Sequence, residues 1–323
     1  MKTRKMASLL VFITLFFSSL GLGAEEQPPI WKAVEIIGNF HHDRSEIEKN
    51  LPFQLGQPFE VQHASWKNWC EKLKLRLGYQ YTLCSPVRFA DGNVYFVIDV
   101  VEPEDSYRIR FREPPSKAPA PLPPSVSLVY GELQDRLWEL FNLGKPPQEF
   151  GINGYLDYDD RFMHQKVLEL NRVVPPFLKE IIETLREHRS PESRMMAADL
   201  LNWGGSPHRI IKEVYSLLDD PHYGVRNQLS RFMIHYIKGI KDESLALQLV
   251  ATFLLQLDRP SHGDRNKALI NLNQLIDTHP RLIPFTKAIG GPLVETIAVQ
   301  SILENVGGEA KKLLLKLNES ESE

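Results

Sequence analysis

The sequence predicts an α+β N-terminal domain followed by an all-α domain. Three observations carry that expectation. The hydrophobic pattern over residues 30–103 gives the order strand, helix, helix, strand, strand. Residues 104–125 are dense in proline, and from residue 173 onward helical patterns recur in pairs of roughly 30 to 40 residues.

In the first segment, residues 34–37 form a compact β-branched strand that Gly38-Asn39 closes as a turn. Ser45 is placed as the N-cap of a short helix in which Ile47 and Leu51 share a face, with Glu48 in the capping-box position. Residues 56–59, Gly-Gln-Pro-Phe, break the chain. Trp66, Trp69, Cys70, Leu73 and Leu77 recur at helical spacing, and Gly78 supplies the stop. Tyr79, Tyr81 and Leu83 alternate with Gln80 and Thr82. After an Asp91-Gly92 turn, Phe96, Ile98 and Val100 alternate with Val97, Asp99 and Val101, which makes the two runs a hairpin.

VEIIGN (34–39), GQPF (56–59), LGY (77–79) and IDVVE (98–102) fall in the order found in POTRA domains, and over about seventy residues the chain resembles one. The resemblance implies a three-stranded sheet with two helices on one face. It also implies a module that captures other proteins, often by pairing with an extended segment, so Gln80 and Thr82 on the strand expected at the sheet edge become candidate partner contacts. Cys70 and Cys84 are a candidate disulfide. The strand register opposes it, because Cys84 points away from Tyr79, Tyr81 and Leu83 while Cys70 belongs to the buried stripe, so two packed thiols are expected.

Residues 104–125 hold too many prolines for a helix interior or a central strand and read as a stiff linker, with one short strand at residues 107–111. Residues 126–172 are a helical lead-in, where Val129, Leu133, Leu137, Leu140 and Phe141 make one apolar stripe. Over 173–317 the first helices of the pairs are read at residues 175–188, 208–220 and 243–257. The second helices begin after Ser190-Pro191, Asp220-Pro221 and Arg259-Pro260, with Arg194, Arg226 and Arg265 at matching positions near their starts. This self-similarity, clearest in DDPHYGVRNQLSRFM (219–233), resembles HEAT or armadillo-like repeats. It implies an α-solenoid whose stacked pairs present a concave surface for proteins or peptides. A degraded fourth pair contains Pro284 and Gly290-Gly291-Pro292, and residues 318–323 are a polar tail. On the second helices, Asn227, Arg231 and His235, then Lys267, Asn271 and Gln274, form polar stripes that the resemblance places on the concave side as partner contacts, against the plainer reading of a solvated face. The matched arginines are expected to brace neighbouring repeats.

The chain opens with Lys2, Arg4 and Lys5, an apolar run over residues 7–20, and the small residues Gly21, Gly23 and Ala24. That order is a secretory signal over residues 1–24, with a retained inner-membrane anchor as the alternative. No later segment is read as a membrane span. Loss of three positive and no negative charges on cleavage would carry the formal charge from −3 to −6. Lys and Arg are scattered among acids, so nucleic acid is not expected as a partner.

Catalytic patterns are not found. His41-His42-Asp43 has no partner at zinc-like spacing. Asp157, Asp159 and Asp160 lack the glycine and glutamate of a calcium loop. Gly204-Gly205-Ser206 is not a nucleophile elbow, and Ser206 reads as a helix N-cap. The expectation is an exported, non-enzymatic adaptor or scaffold for other envelope proteins, without cofactor or metal. The alternative is a lyase or enzyme-regulating subunit, roles known among HEAT-like proteins.

Overall fold

The structure, a computed structural model, describes residues 29–59, 63–89, 92–152 and 154–319. The leader at 1–24 and residues 320–323 of the tail lie outside the described residues. An N-terminal three-stranded mixed sheet is followed by a mostly helical region. The sheet region holds β1 (Ile30–Ile37), α1 (Arg44–Glu48), α2 (His63–Leu77), β2 (Tyr81–Arg88) and β3 (Asn93–Val101). Next come α3 (Pro124–Asn142), β4 (Glu149–Ile152), β5 (Tyr155–Tyr158) and α4 (Arg161–Val173). The remaining helices are α5 (Leu178–Glu187), α6 (Pro191–Leu200), α7 (Pro207–Val214), α8 (Tyr223–Tyr236), α9 (Glu243–Leu257), α10 (His262–Thr278), α11 (Ile283–Gln300) and α12 (Glu304–Glu319).

These elements form two compact units. The first comprises Met1–Arg110, Leu255–Leu269 and Lys287–Glu323; the second comprises Phe111–Leu254 and Ile270–Thr286. One boundary falls within the proline-rich stretch. Neither unit is contiguous in sequence, however, because the first draws on two segments of the region read as helical repeats.

In the first unit the sheet order is β1-β3-β2, with β1 parallel and β2 antiparallel to β3. Trp31, Val34, Ile47, Trp66, Leu73, Tyr79, Val94, Phe96, Ile98 and Val100 form one buried cluster, so α1 and α2 cover one face of the sheet. The Trp31 ring stacks on Phe53 at 3.8 Å and meets Phe96 edge-on at 5.6 Å. The N-cap of α1 is Asp43, whose carboxylate accepts from both the backbone N–H and the hydroxyl of Ser45. Ser45 therefore lies inside the first turn and is not the cap.

The opposite sheet face is also buried. Val97, Asp99 and Val101 are closed off from solvent, and so is Glu35 on β1. Asp99 accepts from Arg265 Nη1 at 2.6 Å and from the backbone N–H of His262 at 3.1 Å, which docks the first turn of α10 on β3. Glu35 accepts from Ser301 Oγ at 2.7 Å and from the Ile302 N–H at 2.8 Å, which fixes the link between α11 and α12. Burial on both faces is why β3 reads Asn-Val-Tyr-Phe-Val-Ile-Asp-Val-Val, a nearly unbroken apolar run.

In the second unit the helices occur where the pairs were read. Asp160 caps α4 by accepting from the Met163 N–H at 3.0 Å. Ser190 caps α6 ahead of Pro191 at the first helical position. Ser206 sits at the N-cap of α7 with φ at 41° and forms no cap bond through its side chain. An antiparallel β4-β5 hairpin interrupts what was read as an all-helical lead-in.

Arg194, Arg226 and Arg265 repeat one local motif. Arg194 donates to the carbonyls of His188 and Arg189, and Arg226 to those of Asp220 and Pro221. In the first unit Arg265 donates to that of Arg259. Each guanidinium thus fastens the chain five or six residues before it. Arg194 also holds Asp220 through two 2.9 Å bonds, and Asp99 fills the corresponding role for Arg265.

Two local expectations change. The run Pro103–Ile109 is a 3-10 helix where a short strand was read. Beyond it the proline-rich chain is strapped to the second unit: Arg112 donates to Asp220 Oδ2 at 2.5 Å and to the Arg186 carbonyl at 2.7 Å, and Lys117 pairs with Glu187. Its prolines fix an extended path that other residues then fasten. Second, Pro280–Gln300 is one helical run of 21 residues, apolar enough to cross a membrane by length and composition, with 22% of it buried. Pro292, which belongs to the degraded fourth pair, lies inside α11.

Candidate functional site

Among the described residues, no strand pairs with the outer edge of β2. On the β1 side, the Trp31 N–H donates to the Gln57 carbonyl at 3.0 Å and the Trp31 carbonyl accepts from the Gly56 N–H at 2.7 Å, so the start of that edge is occupied. On the other side β2 is the outer strand. The Phe89 N–H donates to the Asn93 carbonyl at 2.9 Å, and the β2-β3 register then turns the N–H groups of Leu83, Ser85 and Val87 toward β3. Those of Thr82, Cys84 and Arg88 point away from the sheet, and Pro86 has no N–H to offer. The open edge is therefore short, running from Thr82 to Cys84. Gln80, exposed, precedes β2, and its N–H donates to the Val101 carbonyl at 2.8 Å. Thr82 is half-buried, with its hydroxyl on the Cys70 carbonyl at 3.3 Å, so its backbone and not its side chain is what the edge presents.

Cys70 and Cys84 are joined in a disulfide across 6.1 Å between Cα atoms, against the expectation of two packed thiols. The reason is the register. Cys84 lies opposite Ile98, a core residue, so Thr82 and Cys84 face α2 while Tyr81 and Leu83 face the other way. Tyr79, which suggested the opposite assignment, is buried but precedes the strand. The bridge closes a sequence separation of 14 residues, and its loss through Cys84→Ser is expected to lower stability by about 3 kcal/mol, read from denaturant unfolding of oxidised wild type and variant.

The polar stripes predicted on the second helices are not a solvated face. Asn227, Lys267 and Asn271 are buried, and the Asn271 amide donates to the Ser230 carbonyl at 3.1 Å. Gln274 is half-buried. Arg231 is ion-paired with Glu149 of β4. It retains 30% of its side-chain surface, yet burial lowers its pKa to about 10. Burial likewise lowers His235 to about 4, with Arg231 adding repulsion. α8 and α10 are packed nearly all round, which the repeat pattern by itself does not reveal.

A buried carboxyl group that sequence reading did not single out lies in the second unit. Asp199, near the end of α6, is 6% exposed. It accepts from the Tyr130 hydroxyl at 2.9 Å and the Gln134 amide at 3.3 Å, both on α3, and from Asn202 at 3.4 Å. Tyr158 of β5 and Tyr236 of α8 are buried, and the Tyr236 hydroxyl donates to the Asn202 carbonyl at 3.3 Å. Burial raises Asp199 to about 6, and the bonds from Tyr130 and Asn202 oppose the rise only in part. Tyr158 is raised well above the usual range by burial, then by nearby Asp199 and Tyr130. Four separate elements contribute to this cluster, so no sequence spacing announces it.

His41, read as lacking partners, has them far along the chain. Its Nδ1 pairs with Glu102, and with Glu104 the three ligand atoms lie within 4.8 Å of one another. Burial alone would raise Glu102, but the N–H groups of His41 and Phe40 and the His41 ring outweigh it and hold the carboxyl below its usual range. The pair closes on itself as a histidine–carboxylate ion pair. Comparison with known proteins adds no relative: no family model, no curated protein and no solved structure matches the chain.

Proposed function

We propose that the chain is an exported, non-enzymatic adaptor of the cell envelope that captures an extended segment of a partner protein along β2. The observation that carries this reading is the outer position of β2, with the Thr82 and Cys84 N–H groups directed away from β3. An added strand would find donors and acceptors there. Pro86 limits how far pairing extends, which suits reversible capture and guards against edge-to-edge association.

Support for a POTRA-like module comes from its element order and from the central place of β3. Support for HEAT-like pairs comes from the arginine brace that recurs once per pair. The leader and the disulfide fit an oxidising, exported setting.

Proline and glutamate at position 82 test the proposal. Because the Thr82 N–H points outward, Thr82→Pro removes an edge donor without removing a β3 ladder bond. Thr82→Glu keeps the donor. Each lost backbone bond is worth about 1 kcal/mol, or roughly five-fold in affinity. A photo-crosslinking residue at Arg88, used in living cells, should give about five-fold less adduct with Thr82→Pro and little change with Thr82→Glu, both variants being folded by circular dichroism. Equal adduct yields would refute strand addition.

A further inference from the structure

We propose that the second unit holds a binding site for a primary ammonium group, received by the Asp199 carboxylate and by the free side-chain oxygen of Asn202 beside a tyrosine hydroxyl. The Asp199 carboxylate has no cation against it among the described residues, and Asn202 has an acceptor to spare. Asp199 is 6% exposed, and the groups that bond its carboxylate are neutral donors, Tyr130, Gln134 and Asn202. No cation lies within ion-pair distance of it among the described residues. Asn202 is 2% exposed, and while its amide nitrogen is used by Asp199, its Oδ1 has no partner. A buried acceptor without a partner is costly, and so is a buried carboxylate without a cation.

The surrounding groups supply neither a proton donor in excess nor a positive charge. Arg231, on α8, is held by Glu149 of β4. His235, also on α8, is kept neutral by burial, and its Nε2 is likewise without a partner. Asp157 of β5 is taken up by His164 at 2.8 Å. Tyr158 and Tyr236 bring hydroxyl groups and no charge. What the cluster lacks is a compact cation with several N–H donors, which describes an ammonium and not an anion or a neutral alcohol. Tyr130, Gln134, Glu149, Arg231 and His235 are half-buried.

The probe is n-butylamine, with n-butanol as its neutral counterpart, titrated into the full-length protein at pH 7.5. The amine should bind saturably and the alcohol should not. Asp199→Asn should weaken the amine by about ten-fold or more, the value of a charge-assisted bond in a buried site. Independently of any variant, the Asp199 carboxyl 13C resonance of the wild type should titrate at least about one unit lower when amine is saturating. A lysine-containing tripeptide, compared with its norleucine analogue, tells whether the ammonium belongs to a free amine or to a protein side chain, by which binds more tightly. Equal amine binding by wild type and Asp199→Asn would overturn the proposal, and so would an unmoved Asp199 titration. Neither outcome depends on β2, so failure here leaves the strand-capture reading standing, and the reverse holds.

Discussion

Replacing Asp99 by alanine is expected to lower the unfolding free energy by about 3–5 kcal/mol, the largest effect of any single side chain discussed above. Asp99 has no exposed surface, and its carboxylate is the charge partner of Arg265, itself 3% exposed. Without it, the Arg265 guanidinium keeps only the Arg259 carbonyl, its Nε and Nη2 being already unpartnered. The His262 N–H at the start of α10 would lose its acceptor as well. The cost is thus that of stranding a buried cation, and it should shrink when the cation is removed too. Urea unfolding of Asp99→Ala, Arg265→Met and the double variant measures this: the double variant should be more stable than the Asp99→Ala single variant. Full additivity would mean that the two side chains do not act as a pair.

The second large effect has the opposite sign. Asp199→Asn should raise stability at pH 7.5 by up to about 3 kcal/mol, because two pKa units of unfavourable ionisation correspond to roughly that much. In the fold the Asp199 pKa is raised from 3.8 to about 6. The folded state therefore holds this proton more tightly than the unfolded chain does. Its contribution is fully present below pH 3.8 and is lost as pH rises through about 6. His235 acts in the reverse direction, since its pKa is lowered to about 4 and the unfolded chain takes up its proton first as pH falls below 6.5. The diagnostic quantity is thus the difference between variant and wild type across pH 3.5 to 7.5, where the gain from asparagine should grow with pH. A pH-independent difference would show that Asp199 ionisation is not what the fold resists.

Much of the secondary structure was legible because it rests on local chemistry. The stripe from Trp66 to Leu77 names α2 and its buried face, and Ser190-Pro191 announces the start of α6. The order of strands and helices over residues 30–103 follows from period and turn residues alone. Local signals misled where a competing local group was stronger, as at Asp43, which takes the cap from Ser45. They also misled where a residue adjoins an element without belonging to it. Tyr79 precedes β2, and counting alternation from it reversed the strand and turned the Cys70–Cys84 bridge into two separate thiols.

The sequence by itself determined most of the helices and strands and the hairpin of β2 and β3, because each depends on groups within a few residues of one another. Only the tertiary structure decided that the second sheet face is covered, that Asn227, Lys267 and Asn271 are interior, and that Tyr130, Tyr158, Asp199 and Asn202 converge. The apolar Val97 and Val101 beside Asp99 were the available hint of a second buried face. Alternation alone assigns a face to each residue but does not say whether that face meets water or a helix from 160 residues further on, as Asp99 meets Arg265. The buried polar partners of this chain are set by contacts between distant segments, and no local pattern of period, propensity or capping encodes which of them will meet.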